Sequence, residues 1–441
     1  MLHQNDKPQD NTSVENNTST ETIKNLIENS QFFLSKFIHL FRGDKTIWIV
    51  FFCLCFVSLI EVYSASGGHL TAFTKHGTFL AGGLAIILGL HYIPYRFFRI
   101  FLLIGLVFSF ILLLIIVFNI GDIAITRNYG TRWIQLFGFE FQPSEIAKVT
   151  LIGTLAYLLS MQNKANEKEI FYWMVGLSGA ICSLIMLDNF STAVLLFFVC
   201  FLMMFLGNVK ISRLLTLAGV IVLTGVVFVM IVNSLPSEMT RPGTPLGRYQ
   251  TWVNRIVNFG GASELPATSF DIVQADGARI AIANGGVFGV FPGNSTAREF
   301  LPMANSDFIY AIILEEMGLL GGAVVLLLYI ILLFRGGMIA KKTEKMFPRY
   351  LVLGSVLMLS TQAFMHMAVN VGLMPVTGQP LPLISLGGTS ILISSVYFGL
   401  ILSVDRFGEG KKKKEKTPPQ PNSKEEEKNI TETVVHEIKV G

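Results

Sequence analysis

The stretch REFLPMANSDFIYAIILEEMGLLGG (residues 298–322) runs into an apolar segment, yet it carries Asp307, Glu315 and Glu316 among Phe, Ile, Tyr and Leu. A carboxylate at the centre of a membrane helix costs about 2.5–3.5 kcal/mol on insertion scales, so acids kept there face a partner or a cavity. Ser306 or Asp307 is expected to cap the helix start, where an acid suits the positive end of the dipole. Glu315 lies eight positions beyond Asp307. That is about 12 Å along the axis, too far for capping. Glu316 is rotated by about 100° from Glu315. At least one of the pair must face a polar interior. An interhelical ion pair or a shared proton is one reading, and a functional cavity is the other.

Outward from that stretch, apolar segments recur along most of the chain. Of 441 residues, 51% are hydrophobic and 15% charged, and the mean hydropathy is +0.56. This is far too apolar for a soluble globular protein. Crossing a hydrocarbon core of about 30 Å takes roughly 20 residues. Ten candidate spans satisfy that need, at 47–66, 77–95, 99–119, 144–161, 170–187, 190–207, 214–233, 307–334, 348–373 and 382–404. The expected fold is an all-α integral membrane protein of ten transmembrane helices, with a large extracytoplasmic loop, 234–306, between helices 7 and 8.

Lys and Arg fall in alternate connections, from Arg42 and Lys45 through Arg335, Lys341 and Arg349 to KKKKEK at 411–416. Cytoplasmic loops accumulate these residues, so both termini are expected in the cytoplasm. Residues 1–40 form a polar tail without the apolar core of a cleavable signal. Residues 41–405 form the membrane domain, and 406–441 a charged tail expected to be disordered. Cys53, Cys55, Cys182 and Cys200 lie in spans without metal-ligand spacing and read as buried structural thiols. No nucleic-acid-binding module is visible.

Three further polar constellations stand against this background. In NYGTRWIQLFGFEFQPSEIAKVTL (128–151), Pro143, Ser144 and Glu145 suit the first turn of a helix, and Lys148 follows Glu145 on the same face. Capping leaves TRW unexplained. Trp133 reads as an interface anchor, whereas Arg132 with Lys148 could offer two cations to a phosphate. The 234–306 connection is long enough to expect function. It combines Arg248, Arg255, Arg279 and Arg298 with Glu264, Asp271 and Asp276. Within it, ARIAIANGG (278–286) is expected to form a short apolar element that re-enters the membrane surface. In HMAVNVGLMPVTGQPLPLISLGGTSIL (366–392), His366 and Asn370 stack on one helix face. Pro and Gly breaks follow, and broken backbone at membrane depth must meet protein or water, which suits a cavity wall.

These stretches together resemble the SEDS family (shape, elongation, division and sporulation), whose members include FtsW, RodA and SpoVE. The motifs are GTRWI with FQPSEIAK, DNFSTAV, ANGGVFG, LPMANSDFIYAIILEEMG and MPVTGQPLPLISLGGTS, in that order from the first span to the last. The resemblance implies a peptidoglycan glycosyltransferase that joins lipid II units into glycan strands outside the cytoplasmic membrane. It also implies a class B penicillin-binding protein and other divisome proteins as partners. A GlcNAc hydroxyl of one unit would attack the anomeric carbon of MurNAc on another, releasing undecaprenyl diphosphate.

By the same resemblance Asp271 is the expected catalytic acid or base, with Gln274 following it, although the family's Asp-Pro context is absent. Asp276 or Glu264 takes that place if the local alignment slips. Arg132, Trp133, Glu145, Lys148, Gln274, Asp307, Glu315, Glu316, His366, Asn370, Thr377, Ser385, Gly387 and Gly388 are the expected substrate-binding positions. DNFSTAV departs from the family, with Asp188 and Asn189 where Pro-Asp is common. The basic tail and motif wording lean to FtsW, hence to the division septum, over an elongation-type RodA. No cofactor is required by the sequence. A divalent cation is compatible with a leaving diphosphate, but no closed ligand set is visible. A lipid II transporter and a scaffold without chemistry are the competing readings.

Overall fold

The structure is a computed structural model that describes residues 41–118, 124–127, 130–136, 139–163, 165–235, 249–250, 252–253 and 270–408. The expected tail at 1–40 lies outside these, as does the one at 406–441 beyond residue 408; most of 234–269, with Glu264, lies outside as well.

Helices α1 (Lys45–Ala65), α2 (Leu70–Tyr92) and α3 (Tyr95–Val117) lead into three short strands, β1 (Ala124–Arg127), β2 (Gly130–Leu136) and β3 (Phe139–Phe141). Then come α4 (Pro143–Met161), α5 (Glu167–Asp188), α6 (Phe190–Leu206), α7 (Ile211–Ser234) and α8 (Phe270–Gly285). The chain closes with α9 (Ala297–Phe300), α10 (Ile309–Glu316), α11 (Gly318–Lys342), α12 (Met346–Asn370) and α13 (Gly388–Gly408). Among the described residues, nine helices are long and apolar enough to cross a membrane. The helix expected as the sixth span, 190–207, is α6, which is apolar but has 17 residues. At 1.5 Å per residue it spans about 26 Å, short of a typical hydrocarbon core.

Packing sorts the helices. The most apolar stretches of α4 and α12 are 72% and 67% buried, so these two form the centre of the bundle. Helix α4 packs against α3, α12 and α5, and α13 packs along α2. Helix α7 is only 6% buried and touches little beyond α6. The sheet, α8, the 286–308 connection and the 371–387 segment are linked by contacts: Trp133 and Glu140 share a cavity with Leu386–Thr389, Ser385 bonds Ser306 O, and α8 packs on α10.

Four expectations are corrected here. The connection between α3 and α4 is an antiparallel sheet in the order β1-β2-β3, with Ile134 opposite Phe141 and a register shift between Ile125 and Thr126. The span expected at 307–334 is two helices that break at Met317. Its start is Phe308, which makes no side-chain cap, so neither Ser306 nor Asp307 is the N-cap. The last span begins at Gly388 rather than at 382, because residues 371–387 are irregular.

Candidate functional site at the sheet end

Pro143 occupies the first turn of α4, where a missing N–H costs nothing. That start places Glu145 and Lys148 on one inward face. Lys148 Nζ lies 2.7 Å from Glu145 Oε1 and donates to Gln362 Oε1 on α12 at 3.2 Å. Gln362 in turn donates to the carbonyl of Pro380 at 2.9 Å. The Lys148 cation is thus a buried structural link between α4, α12 and the irregular segment. Arg132 is placed elsewhere: its Nε donates to the Asp188 carbonyl at 2.9 Å, at the junction of α5 and α6.

The 371–387 segment is broken backbone, as its Pro and Gly residues imply; it is exposed at 371–374 and buried from Gln379 to Ser385, where side chains meet its carbonyls. His366 Nδ1 lies 2.7 Å from the Gln379 carbonyl, so Nδ1 carries the proton. Tyr329 donates to Pro382 O at 2.5 Å, and Ser58 to Ile384 O at 3.0 Å. Gln379 Nε2 reaches Thr192 Oγ1 at 2.7 Å. Ser385 Oγ donates to Ser306 O at 2.6 Å and accepts from Leu381 N at 2.7 Å. Asn370 joins three elements: it accepts from Ala311 N at 3.0 Å and donates to Asp307 O at 3.2 Å and His366 O at 2.9 Å. Thr377 Oγ1 is buried without a hydrogen-bond partner among the described residues.

Glu315 and Glu316 are both buried, at 1% and 0% exposure. Glu315 accepts from the Ser295 hydroxyl, from Thr296 N at 3.2 Å and Oγ1 at 2.9 Å, and from Ala297 N at 3.2 Å. Glu316 accepts from the Ser64 hydroxyl and from Ser295 N at 3.3 Å. Below them the backbones of 285–291 and 315–320 touch directly: Val290 N donates to Glu315 O at 3.0 Å, and Leu319 N to Gly286 O at 3.0 Å. A Cβ at Gly285, Gly289 or Gly318 would collide with the facing carbonyls, and Gly289 and Gly318 also have φ of +79° and +67°. Two sequence motifs, ANGGVFG and EEMG, are therefore one crossing, which only glycine permits.

A cavity of about 690 Å³ opens between α2, the sheet and the start of α13. Its walls include Lys75, His76, Trp133, Glu140, Gly387 and Gly388. Strand alternation explains why Trp133 faces this cavity while Arg132, its neighbour on β2, turns to α5.

The sequence model of one family, described as cell cycle protein and covering FtsW, RodA and SpoVE, matches residues 44–410. The chain belongs to the FtsW/RodA/SpoVE family. It is 34% identical over 309 residues to a probable peptidoglycan glycosyltransferase FtsW of Thioalkalivibrio sulfidiphilus, covering 68% of this chain and 72% of that relative. It is 30% identical over 377 residues to stage V sporulation protein E of Bacillus subtilis, covering 82% and 97%. Its fold matches a chain of a solved peptidoglycan synthase complex with a TM-score of 0.66 at 20% identity, covering 84% of this chain and 99% of that one. It matches Thermus thermophilus RodA at 0.59 and 20% identity, covering 83% and 98%. At that identity these two establish the fold.

In this FtsW/RodA/SpoVE family member, the expected site residues divide into groups. Trp133, Gly387 and Gly388 line the cavity. Glu145, Lys148, His366, Asn370 and Ser385 hold the irregular segment beside it, and Asp307 lies against Gly378 of that segment. Asp271 is in the first turn of α8, with its side chain outside the described residues; Gln274, one turn on, is buried, and Asp276 is exposed with Arg279 at 3.1 Å. Sequence reasoning missed Lys75, His76 and Glu140 on the cavity wall and Glu61 in α1. Glu61 carried a signal: it is an acid in the apolar run CLCFVSLIEV (53–62).

Proposed function

We propose that this chain is a peptidoglycan glycosyltransferase that polymerises lipid II on the outer face of the cytoplasmic membrane, in cell division. The observation that carries the reading is the cavity of about 690 Å³ between α2, the sheet and the start of α13. It combines an exposed amine, Lys75, a carboxyl, Glu140, and an aromatic face, Trp133. Attack of a sugar hydroxyl on an anomeric carbon needs a base at the hydroxyl and positive charge at the departing diphosphate. Asp271 is assigned the first role, and Lys75 is suited to the second. The names carried by the relatives support the same chemistry. A class B penicillin-binding protein is the partner the reading calls for, as a likeness to a synthase complex supports.

The transporter alternative draws on Glu315 and Glu316 buried at membrane depth and on the broken start of the last span. Glu315 is occupied by hydrogen bonds from Ser295, Thr296 and Ala297 on the turn that precedes its helix, which gives it a structural task. Purified protein with its transpeptidase partner should convert lipid II to glycan strands, and Asp271→Ala should abolish product while leaving thermal stability unchanged. Transfer of labelled lipid II across proteoliposomes without polymer would overturn the reading.

A further inference from the structure

Glu61 is fully buried in α1, and neither carboxyl oxygen has a hydrogen-bond partner among the described residues. Ser58 and Ser64 lie one turn away on the same face of the helix. Ser58 is taken up by His76 Nε2 at 2.5 Å and by Ile384 O. Ser64 reaches across to Oε1 of Glu316 and accepts Gly293 N–H at 2.9 Å. Oε2 of Glu316 has no partner among the described residues, and Ser64, which holds Oε1 of Glu316, follows Glu61 by three positions on the same face of α1. Arg298 donates to Ser64 O at 3.2 Å, on the same residue whose hydroxyl holds Glu316. Glu315, the remaining acid, is turned toward Ser295, Thr296 and Ala297.

Among the described residues, three carboxyl oxygens therefore stand buried without a donor. An ionised carboxylate only accepts, whereas a protonated one supplies an O–H. Two carboxylates confined together do not both ionise, and Arg298 balances one negative charge. We propose that Glu61 and Glu316 hold one proton between them, Glu61 donating to Oε2 of Glu316, and that this acid pair positions the Gly293–Arg298 turn, and through it α8, against α1. Glu61 is a positioning residue. It touches no reacting group, and it acts through the turn that Ser64, Glu315 and Glu316 hold together.

The test uses the purified full chain in lipid nanodiscs. Infrared difference spectra of wild type minus Glu61→Gln at neutral pH should show a carboxylic-acid C=O stretch that is lost in the variant and shifts in D₂O. Absence of such a band overturns the shared proton. In hydrogen–deuterium exchange, Glu61→Gln should keep wild-type protection at 286–298, because its amide N–H can donate to Glu316. Glu61→Leu, of similar size without a donor, should exchange at least tenfold faster there. Equal protection in Glu61→Leu overturns the positioning role. Should Glu61→Leu fail to fold, the infrared arm on Glu61→Gln still decides. Lipid II turnover is a third readout, retained in Glu61→Gln and reduced in Glu61→Leu. It alone rests on the glycosyltransferase reading, so failure of that activity in wild type leaves the first two arms intact.

Discussion

Lys148 Nζ meets Glu145 Oε1 at 2.7 Å, one turn away on α4, with the two side chains only 1% and 7% exposed. Removing one partner of such a pair leaves a buried charge uncompensated, at a cost of about 3–5 kcal/mol. Lys148→Met and Glu145→Gln are each expected to lower the unfolding temperature in detergent. The double substitution should recover most of the loss, since two neutral side chains replace two charges. Single variants as stable as wild type would show that the pair is not what holds α4 to α12.

The crossing of 285–291 over 315–320 makes a sharper forecast. Gly285→Ala and Gly289→Ala drive a methyl into the carbonyls of Leu314 and Glu316, backbone that cannot step aside. Both are expected to yield little folded protein in a size-exclusion assay. Gly337→Ala, on α11, meets open space, and replacing a helical glycine there is neutral or mildly stabilising, by up to about 1 kcal/mol. Equal yields from all three variants would contradict the close approach.

Much of this architecture is legible in the sequence, and the illegible parts share a cause. Span positions follow from apolar run length, and the start of α4 from Pro143, Ser144 and Glu145, because those signals are local. The sheet was missed because its strands have only four, seven and three residues, too few to display alternation within a Gly-containing connection. The break at Met317 has no proline to announce it. It arises because Gly318 lies against Val287, 31 positions earlier in the chain. Glu315 and Glu316 could be recognised as buried, but the donors that satisfy them sit on a turn that sequence spacing does not bring near. Applied to Glu61, the reasoning that drew attention to Glu315 would have found it.

Asn370 offers a test of how the irregular segment is held. Its amide accepts from Ala311 N and donates to the carbonyls of Asp307 and His366. Asn370→Leu keeps the volume and strands these buried groups, each at about 1–3 kcal/mol. The variant is expected to unfold at lower temperature and to be cleaved faster by added protease near 302–308 and 371–387. Wild-type cleavage kinetics would show that Asn370 is not the joint between these segments.

Arg132 and Trp133 are adjacent on β2 and face opposite ways, so they should fail in different assays. Arg132 Nε holds the Asp188 carbonyl at 2.9 Å, where α5 ends and Asn189 caps α6 by accepting Thr192 N at 3.1 Å. Arg132→Ala is therefore expected to lower thermal stability by about 1.5–3 kcal/mol, the worth of a hydrogen bond from a charged group. Trp133 contributes an aromatic wall to the cavity and is only half-buried. Trp133→Ala should leave the unfolding temperature nearly unchanged while raising KM for lipid II several-fold, because a lost stacking face removes binding that is the same in ground and transition states. If Arg132→Ala instead changes KM alone, the arginine serves the substrate rather than the α5–α6 junction. If Trp133→Ala has no effect on KM, the cavity is not where the lipid-linked sugar binds.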